Sequence, residues 1–166
     1  MQAQTVERPV KVESKRSSFS FAPIWKPWQT EGTFESQEDA LKSIDKRCKF
    51  RPGFGRDEVR SKDAKPDGTI RVVVEEMPAF GAEEEQLWGQ YYQGMFRSYL
   101  HFRIRPLNLE ELNRWLIDSV NRREYKNVKL ALESGAVVNE TTLNHIISSW
   151  ASTEVRELLT EARKKG

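Results

Sequence analysis

The sequence predicts an α+β fold in which a small N-terminal βαβ-like sheet region precedes a mainly helical C-terminal half. Two observations favour this division. Residues 69–77 alternate apolar and polar side chains with the two-residue period of a strand. From residue 82 onward, apolar side chains recur every three or four residues, which is the period of a helix. A chain of 166 residues has room for one domain, or one domain with a small appendage.

The composition is leaner in hydrophobic residues than that of an average globular domain, as expected if part of the chain is solvated, and the charge is balanced. There are 27 basic and 25 acidic residues, so the net charge of +2 gives no argument for a general polyanion binder. The single cysteine, Cys48, allows no internal disulfide and favours a reducing compartment. No apolar run is long enough for a signal peptide or a membrane span. We therefore expect an intracellular protein, cytoplasmic or (in a eukaryote) nuclear, that does not interact with membranes.

The N-terminal part divides into a polar stretch and an aromatic one. Residues 1–22 are polar and lack helical periodicity, which predicts a mobile arm. Overlapping its end lie Phe19, Phe21, Trp25 and Trp28, in a segment whose prolines exclude a regular helix. Two interpretations stay open for this segment. Either it lies across the folded body and completes the core, because four aromatic side chains are costly to leave in water, or it docks onto a partner.

Residues 23–80 are predicted to form the small α/β region. Ser36 is a good N-cap for a short helix over residues 36–48. The strand over residues 69–77 follows a Pro-Asp-Gly turn and cannot be stable alone. Its expected partners are the segment 25–34 and residues 56–62, with the helix packed on the resulting sheet.

Residues 82–166 are predicted to be a helical region. A wide apolar stripe marks its first helix, and Pro106 ends it, although the alternation of residues 99–105 also fits an extended end. Asn108 and Glu111 have the spacing of a capping box. Further helices are predicted over residues 109–121, 126–134 and 141–164, with a break near residues 148–153.

Residues 128–139 read Val-Lys-Leu-Ala-Leu-Glu-Ser-Gly-Ala-Val-Val-Asn. This resembles the second helix and closing loop of an ankyrin repeat, which often runs V-K-L-L-L-E-x-G-A-D-V-N. The sequence departs from that pattern at Ala131, where leucine is usual, and at Val137, where aspartate is usual. The resemblance extends over about residues 109–162 and implies ankyrin-like helical hairpins that bind a partner and carry no chemistry. The alternative is a generic helical bundle with the same helix–glycine–loop device.

Residues suited to catalysis are few and scattered along the chain. The two histidines, His101 and His145, have no base-and-orienter set at recognisable spacing. With a single cysteine they make no zinc pattern, and no P-loop occurs. We expect no enzymatic activity, no cofactor and no metal site.

The segment of residues 46–62 is the strongest candidate patch for an acidic partner. It holds seven basic and two acidic residues, a local charge of +5, with Phe50 and Phe54 interleaved. Basic side chains can neutralise phosphates while aromatic rings stack on bases. The alternative is a solvated loop whose two phenylalanines enter the core.

These observations predict a non-enzymatic protein-binding module: an adaptor, an assembly factor or a small inhibitor of a larger complex. The alternative is an RNA- or single-stranded-DNA-binding protein that uses the loop of residues 46–62. The oligomeric state stays open. The candidate binding residues are Lys46, Arg47, Lys49, Phe50, Arg51, Phe54, Arg56, Trp25 and Trp28.

Overall fold

A computed structural model describes residues 8–18, 20–51, 55–76, 98–148 and 152–165. The chain folds into two compact units. The first, called the sheet unit below, comprises Lys11–Phe34 and Glu38–Arg105. The second, called the helical unit, comprises Met1–Val10, Glu35–Gln37 and Pro106–Gly166.

A five-stranded sheet dominates the sheet unit. Its strands are β1 (Val10–Ser17), β2 (Gln29–Phe34), β5 (Glu58–Ala64), β6 (Ile70–Glu76) and β7 (Ser98–Pro106), and they lie in the order β2-β1-β7-β6-β5. The strands β3 (Phe50–Arg51) and β4 (Gly55–Arg56) form a separate two-stranded antiparallel ladder. One helix, α1 (Gln37–Arg47), follows β2 along the chain.

The register of β6 against β7 gives the sheet two different faces. Ile70 pairs with Ile104 and Val72 with Phe102, and these four side chains are buried. Because successive side chains of a strand alternate in direction, they share one face, which we call the apolar face. The intervening pairs, such as that of Arg71 with Arg103, lie on the opposite, polar face.

Helix α1 belongs to the apolar face. Its only fully buried side chains are Ala40 and Ile44, which lie four residues apart on one side of the helix. At its end the Arg47 guanidinium lies 5.9 Å from the centre of the Phe102 ring. Acidic residues in its first turn and basic residues in its last suit the helix dipole.

The helical unit contains four short helices in the part of the chain that the structure describes. They are α2 (Leu109–Asn121), α3 (Tyr125–Glu133), α4 (Glu140–Ser148) and α5 (Thr153–Lys165). Asn108 and Glu111 form the predicted capping box at the start of α2, each side chain accepting from the backbone N–H of the other. The core is made of seven buried side chains: Leu112, Leu116, Val120, Val128, Ala131, Val155 and Leu159. None of the helices among the described residues is long and apolar enough to cross a bilayer.

The predicted fold class is wrong. The sheet is not βαβ-like, because β5 pairs with β6 and β6 with β7 in antiparallel fashion. The chain also does not become helical from residue 82 to its end, since residues 98–106 form β7 in the middle of the sheet. The predicted first helix of that half falls mainly on residues 82–97, which lie outside the described residues.

The ankyrin-like helical hairpins are not evident in the described part of the helical unit. Its helices are 9 to 13 residues long and surround one common cluster of buried side chains. Ankyrin hairpins instead bury their faces by stacking identical units side by side, which generally takes three or more repeats. The local device that suggested them, a helix ended by Gly135 with φ of 102°, occurs in many helical folds.

Two smaller predictions also fail. The sequence predicts a mobile arm over residues 1–22, but residues 10–17 of it form β1, which lies between β2 and β7 in the sheet. The segment 25–34 is predicted to pair with the strand of residues 70–76, but β2 lies at the sheet edge, with β1 and β7 between it and that strand. The prediction that residues 56–62 pair with that strand is confirmed for residues 58–62, which belong to β5, whereas Arg56 pairs with Phe50 in the separate ladder.

Candidate functional site

The loop between β1 and β2 presents two large apolar side chains at its tip. The backbone N–H of Lys26 donates to the carbonyl of Pro23 at 3.4 Å, which closes a turn with Ile24 and Trp25 at its centre. Ile24 is 95% exposed and Trp25 is 80% exposed. Phe21, nearby in the same loop, is 64% exposed. Apolar side chains this exposed and this close along the chain are typical of contact sites.

Lys15 of β1 holds this turn from beneath. Its Nζ donates to the carbonyl of Pro23 at 2.7 Å and to the carbonyl of Lys26 at 3.2 Å. Lys15 itself is buried. Burial lowers the pKa of its ammonium, and the positive charges of Arg103 and Arg71 lower it further. One buried cation therefore fixes the carbonyls on either side of Ile24 and Trp25.

Trp28 anchors the base of the same loop. Lys15 Nζ lies 4.5 Å and the Arg103 guanidinium carbon 4.7 Å from the centre of its ring, both within range of cation–π attraction. Arg103 is held in turn by the Glu13 carboxylate at 2.7 Å, and Arg105 reaches the same carboxylate at 3.2 Å. The loop thus rests on a network of charged side chains on the polar face.

The carboxyl of Glu13 is ionised within that network. Its burial by itself raises the pKa, but the hydrogen bonds and charges of Arg105 and Arg103 outweigh burial, so the pKa lies below 4.5. At neutral pH the negative charge of Glu13 therefore keeps both arginines oriented beneath the loop.

The structure gives Trp25 and Trp28 different roles. Trp25 is exposed, as the docking interpretation of the aromatic segment requires, whereas Trp28 is half-buried and packs against Lys15 and Arg103 rather than in the apolar core. Sequence reasoning missed Ile24 and Lys15. The signal for Ile24 was its place beside Trp25 between two prolines, but nothing in the sequence indicated that Lys15 reaches the loop.

Two arginines of the basic segment are engaged inside the sheet unit. Arg47 donates to Glu31 Oε2 at 2.6 Å. Arg56 donates to the carbonyls of Asp45 and Cys48, at 2.7 and 3.2 Å, and to the Asp45 carboxylate at 2.9 Å. Arg56 therefore caps the carbonyls at the end of α1, which is a structural task.

Of the other candidate residues of that segment, the structure describes the side chains of Lys46 and Lys49. Lys46 and Lys49 are exposed, and the backbone N–H of Lys49 donates to Asp57 Oδ2 at 2.9 Å. The side chains of Phe50 and Arg51, and Phe54 as a whole, lie outside the described residues.

Of the residues suited to catalysis or metal binding, the structure describes the surroundings of Cys48 and His101. Cys48 is buried, its thiol donates to the Ile44 carbonyl at 3.6 Å, and burial raises its pKa, which disfavours the nucleophilic thiolate. His101 is buried on β7, and the side chain of His145 is outside the described residues. Among the described residues, no cluster of three or more histidine, cysteine or carboxylate side chains could hold a metal ion.

The described geometry is that of an exposed apolar loop tip above a network of charged side chains. Comparison with protein-family models, curated protein sequences and solved structures finds no match to this chain.

Proposed function

We propose that this protein is a non-enzymatic, intracellular protein-binding module that inserts the tip of its β1–β2 loop into an apolar pocket of its partner. The observation that carries the proposal is the exposure of Ile24 and Trp25 at the centre of one turn. Tryptophan is over-represented among the few interface residues that supply most of the binding free energy.

The rigidity of the loop supports the same function. Ordering a flexible loop on binding costs free energy, so a loop held in its binding shape gains affinity. Here the Lys15 ammonium and the Trp28 ring hold both ends of the turn before any partner arrives. Adaptors, assembly factors and small inhibitors of larger complexes all work through such fixed contacts.

Affinity purification with loop variants tests the proposal. Wild-type protein, Ile24→Ser/Trp25→Ala and the matched surface variant Leu109→Ser/Tyr125→Ala would each be incubated with lysate of the source cells, with and without nuclease. Leu109 and Tyr125 are also exposed apolar residues, 56% and 44%, but lie away from the loop in sequence. We expect the same proteins with wild type and the matched variant, and their loss with the loop variant.

Three results would contradict the proposal. The loop variant could retain every protein that the wild type recovers, or nuclease could abolish the recovery, which would favour a nucleic-acid partner instead. The third is binding of wild type, but not the loop variant, to vesicles of neutral and anionic lipids, since tryptophan also favours membrane interfaces. The loop variant should retain wild-type stability within about 0.5 kcal/mol, because Ile24 and Trp25 are mostly in water, whereas the matched variant alters half-buried side chains and should lose more, about 1 kcal/mol.

A further inference from the structure

The apolar face of the sheet ends in a polar cleft. Along β1, buried Val12 is followed on the same face by Ser14 and Arg16. Along β6, Val74 is followed in the same way by Glu76. At this end of the sheet lies a cleft of about 490 Å³. That volume is within the range of about 300–1,000 Å³ that is usual for small-molecule sites.

The cleft carries an excess of positive charge. Lys15, Arg16, Lys26 and Arg47 line it, and Glu31 is the acidic residue among the residues that line it. The Lys15 ammonium is bound to the loop carbonyls on the other face of β1, so three positive charges (Arg16, Lys26 and Arg47) face the two negative ones of Glu31 and Glu76. A concave surface with an excess of one charge concentrates ligands of the opposite sign.

Internal bonds orient these cations without using all their donors. Arg16 donates through Nε and Nη2 to the two oxygens of Glu76, both at 2.8 Å. Lys26 Nζ donates to the backbone carbonyl of Arg16 at 3.2 Å, and Arg47 donates through one nitrogen to Glu31. A guanidinium has five N–H groups and an ammonium three, so each of these side chains keeps donors for a ligand.

Glu31 supplies a fixed acceptor beside the cations. Its two carboxylate oxygens accept from Ser14 Oγ and from Arg47, and Ser14 is buried. Burial by itself raises the pKa of Glu31, but the hydrogen bonds from Ser14 and Arg47 and the charge of Arg47 bring it below 4.5. Glu31 is therefore ionised at neutral pH and can accept a further hydrogen bond from a hydroxyl or ammonium group.

We propose that this cleft binds a small anionic molecule that carries a phosphate or carboxylate group on a hydroxylated body. Arg16 and Lys26 contact the anionic group, because guanidinium and ammonium groups are the usual partners of phosphates and carboxylates. The Glu31 carboxylate accepts from a hydroxyl of the body. Lys26 belongs to the β1–β2 loop, but the exposed tip residues Ile24 and Trp25 do not line the cleft, so this proposal does not rest on the proposed insertion of that tip into a partner.

Titration calorimetry with three matched probes tests this site and identifies the anionic group. The probes are ribose 5-phosphate, gluconate and uncharged ribose, at low ionic strength. We expect ribose 5-phosphate or gluconate to bind, and ribose not to bind. Binding of the first assigns the site to phosphates, and binding of the second assigns it to carboxylates. Raising the salt concentration should weaken the binding, because the cleft is open to solvent.

Charge-removing variants assign the binding to the cleft. Lys26→Gln should weaken it about tenfold, by removing one charge-assisted contact. The matched control is Lys42→Gln, which removes an exposed cation from α1 and should leave the binding unchanged. Glu31→Gln should reduce the preference for ribose 5-phosphate over inorganic phosphate, and Trp25→Ala should have no effect.

The proposal is overturned if neither charged probe binds the wild type. It is also overturned if Lys26→Gln and Lys42→Gln have equal effects, because the binding would then be non-specific. Tight binding of a short oligothymidylate in the absence of small-molecule binding would assign the cleft to nucleic acid and reject the small-molecule site. Circular dichroism of each variant shows whether it is folded.

Discussion

At the scale of single residues, the molecule places charged side chains where they hold other groups in position. Lys15 and Glu13 lie two residues apart on β1, both buried, on the face that also carries Arg103. Lys15 fixes the loop carbonyls, whereas Glu13 orients the arginine that lies over Trp28. A buried charge costs free energy unless it is paired and hydrogen-bonded. Lys15 and Glu13 are therefore better explained by the groups that they hold in place than by a contribution of their burial to stability.

Glu13→Gln should destabilise the protein by about 2 kcal/mol at neutral pH, because two arginines lose a charged acceptor. The pKa of Glu13 is lower in the folded protein than its ordinary 4.5, so its contribution is complete above that value. As the pH falls, the unfolded chain takes up the proton first, and the contribution disappears as the pH passes through the lowered folded pKa.

Urea unfolding of wild type and Glu13→Gln from about pH 7 to about pH 3 measures this effect. The difference in unfolding free energy between them should shrink toward zero at the acidic end. Glu157→Gln, an exposed carboxylate on α5, is the control and should change little at any pH. A difference that does not depend on pH would show that Glu13 acts through packing alone.

At the scale of elements, two helices are ended by different kinds of capping residue. Arg56 comes from β4 and caps the last carbonyls of α1. Gly135 ends α3 with a positive φ. The Arg56 cap joins residues that are about ten positions apart, whereas the Gly135 cap is local to its own helix. For this reason only the Gly135 cap could be predicted from the sequence.

Arg56→Ala should destabilise the sheet unit by about 1 kcal/mol, because the carbonyls of Asp45 and Cys48 lose a charged donor that is half exposed. Denaturant unfolding measures the loss. Lys46→Ala, also an exposed cation at the end of α1, should stay within about 0.5 kcal/mol of wild type. Equal effects of both substitutions would exclude a specific capping role for Arg56.

Gly135→Ala should cost about 1 kcal/mol, because a φ of 102° is unfavourable for any residue with a Cβ. A Cβ at this position would meet no heavy atom within 4 Å, so the loss would come from the backbone conformation rather than from a clash. Gly32→Ala in β2 is the control, since its φ is not in the positive region and its Cβ would make an ordinary contact at 3.6 Å with Phe34. We expect thermal unfolding to separate the two variants, and a neutral Gly135→Ala would contradict this account.

At the scale of the whole molecule, each unit has its own buried side chains. In the sheet unit they line the apolar face, with Phe102 and Ile104 almost fully buried. In the helical unit they form the cluster around Leu116, to which Val155 and Leu159 of α5 contribute. Each unit therefore has a hydrophobic contribution of its own to stability.

Leu116→Ala should destabilise the protein by about 3 kcal/mol, because the side chain is completely buried and its removal leaves a cavity. Leu109→Ala, in the same helix but 56% exposed, is the matched control and should cost less than about 1 kcal/mol. Urea unfolding followed by circular dichroism compares them. Similar losses for the two variants would show that the cluster around Leu116 is not the core.

The sequence by itself determined the elements whose signals are local. The alternation of residues 70–76 defines β6, and the spacing of Ala40 and Ile44 defines α1. The Asn108–Glu111 box and Gly135 mark helix ends correctly within a residue or two. These features depend on side chains only three or four positions apart, so the chain needs no tertiary context to encode them.

Only the tertiary structure decided the pairing of strands and the candidate sites. Residues 98–106 carry both helical and strand signals, and their pairing with β6 selected the strand, because a paired strand satisfies its backbone groups and buries Phe102 and Ile104. In the β1–β2 loop, Lys15 binds carbonyls 8 and 11 positions further along the chain, and Arg103 donates to Glu13, 90 positions away. Sequence periodicity carries no information about such contacts, since they arise when separate strands are brought together.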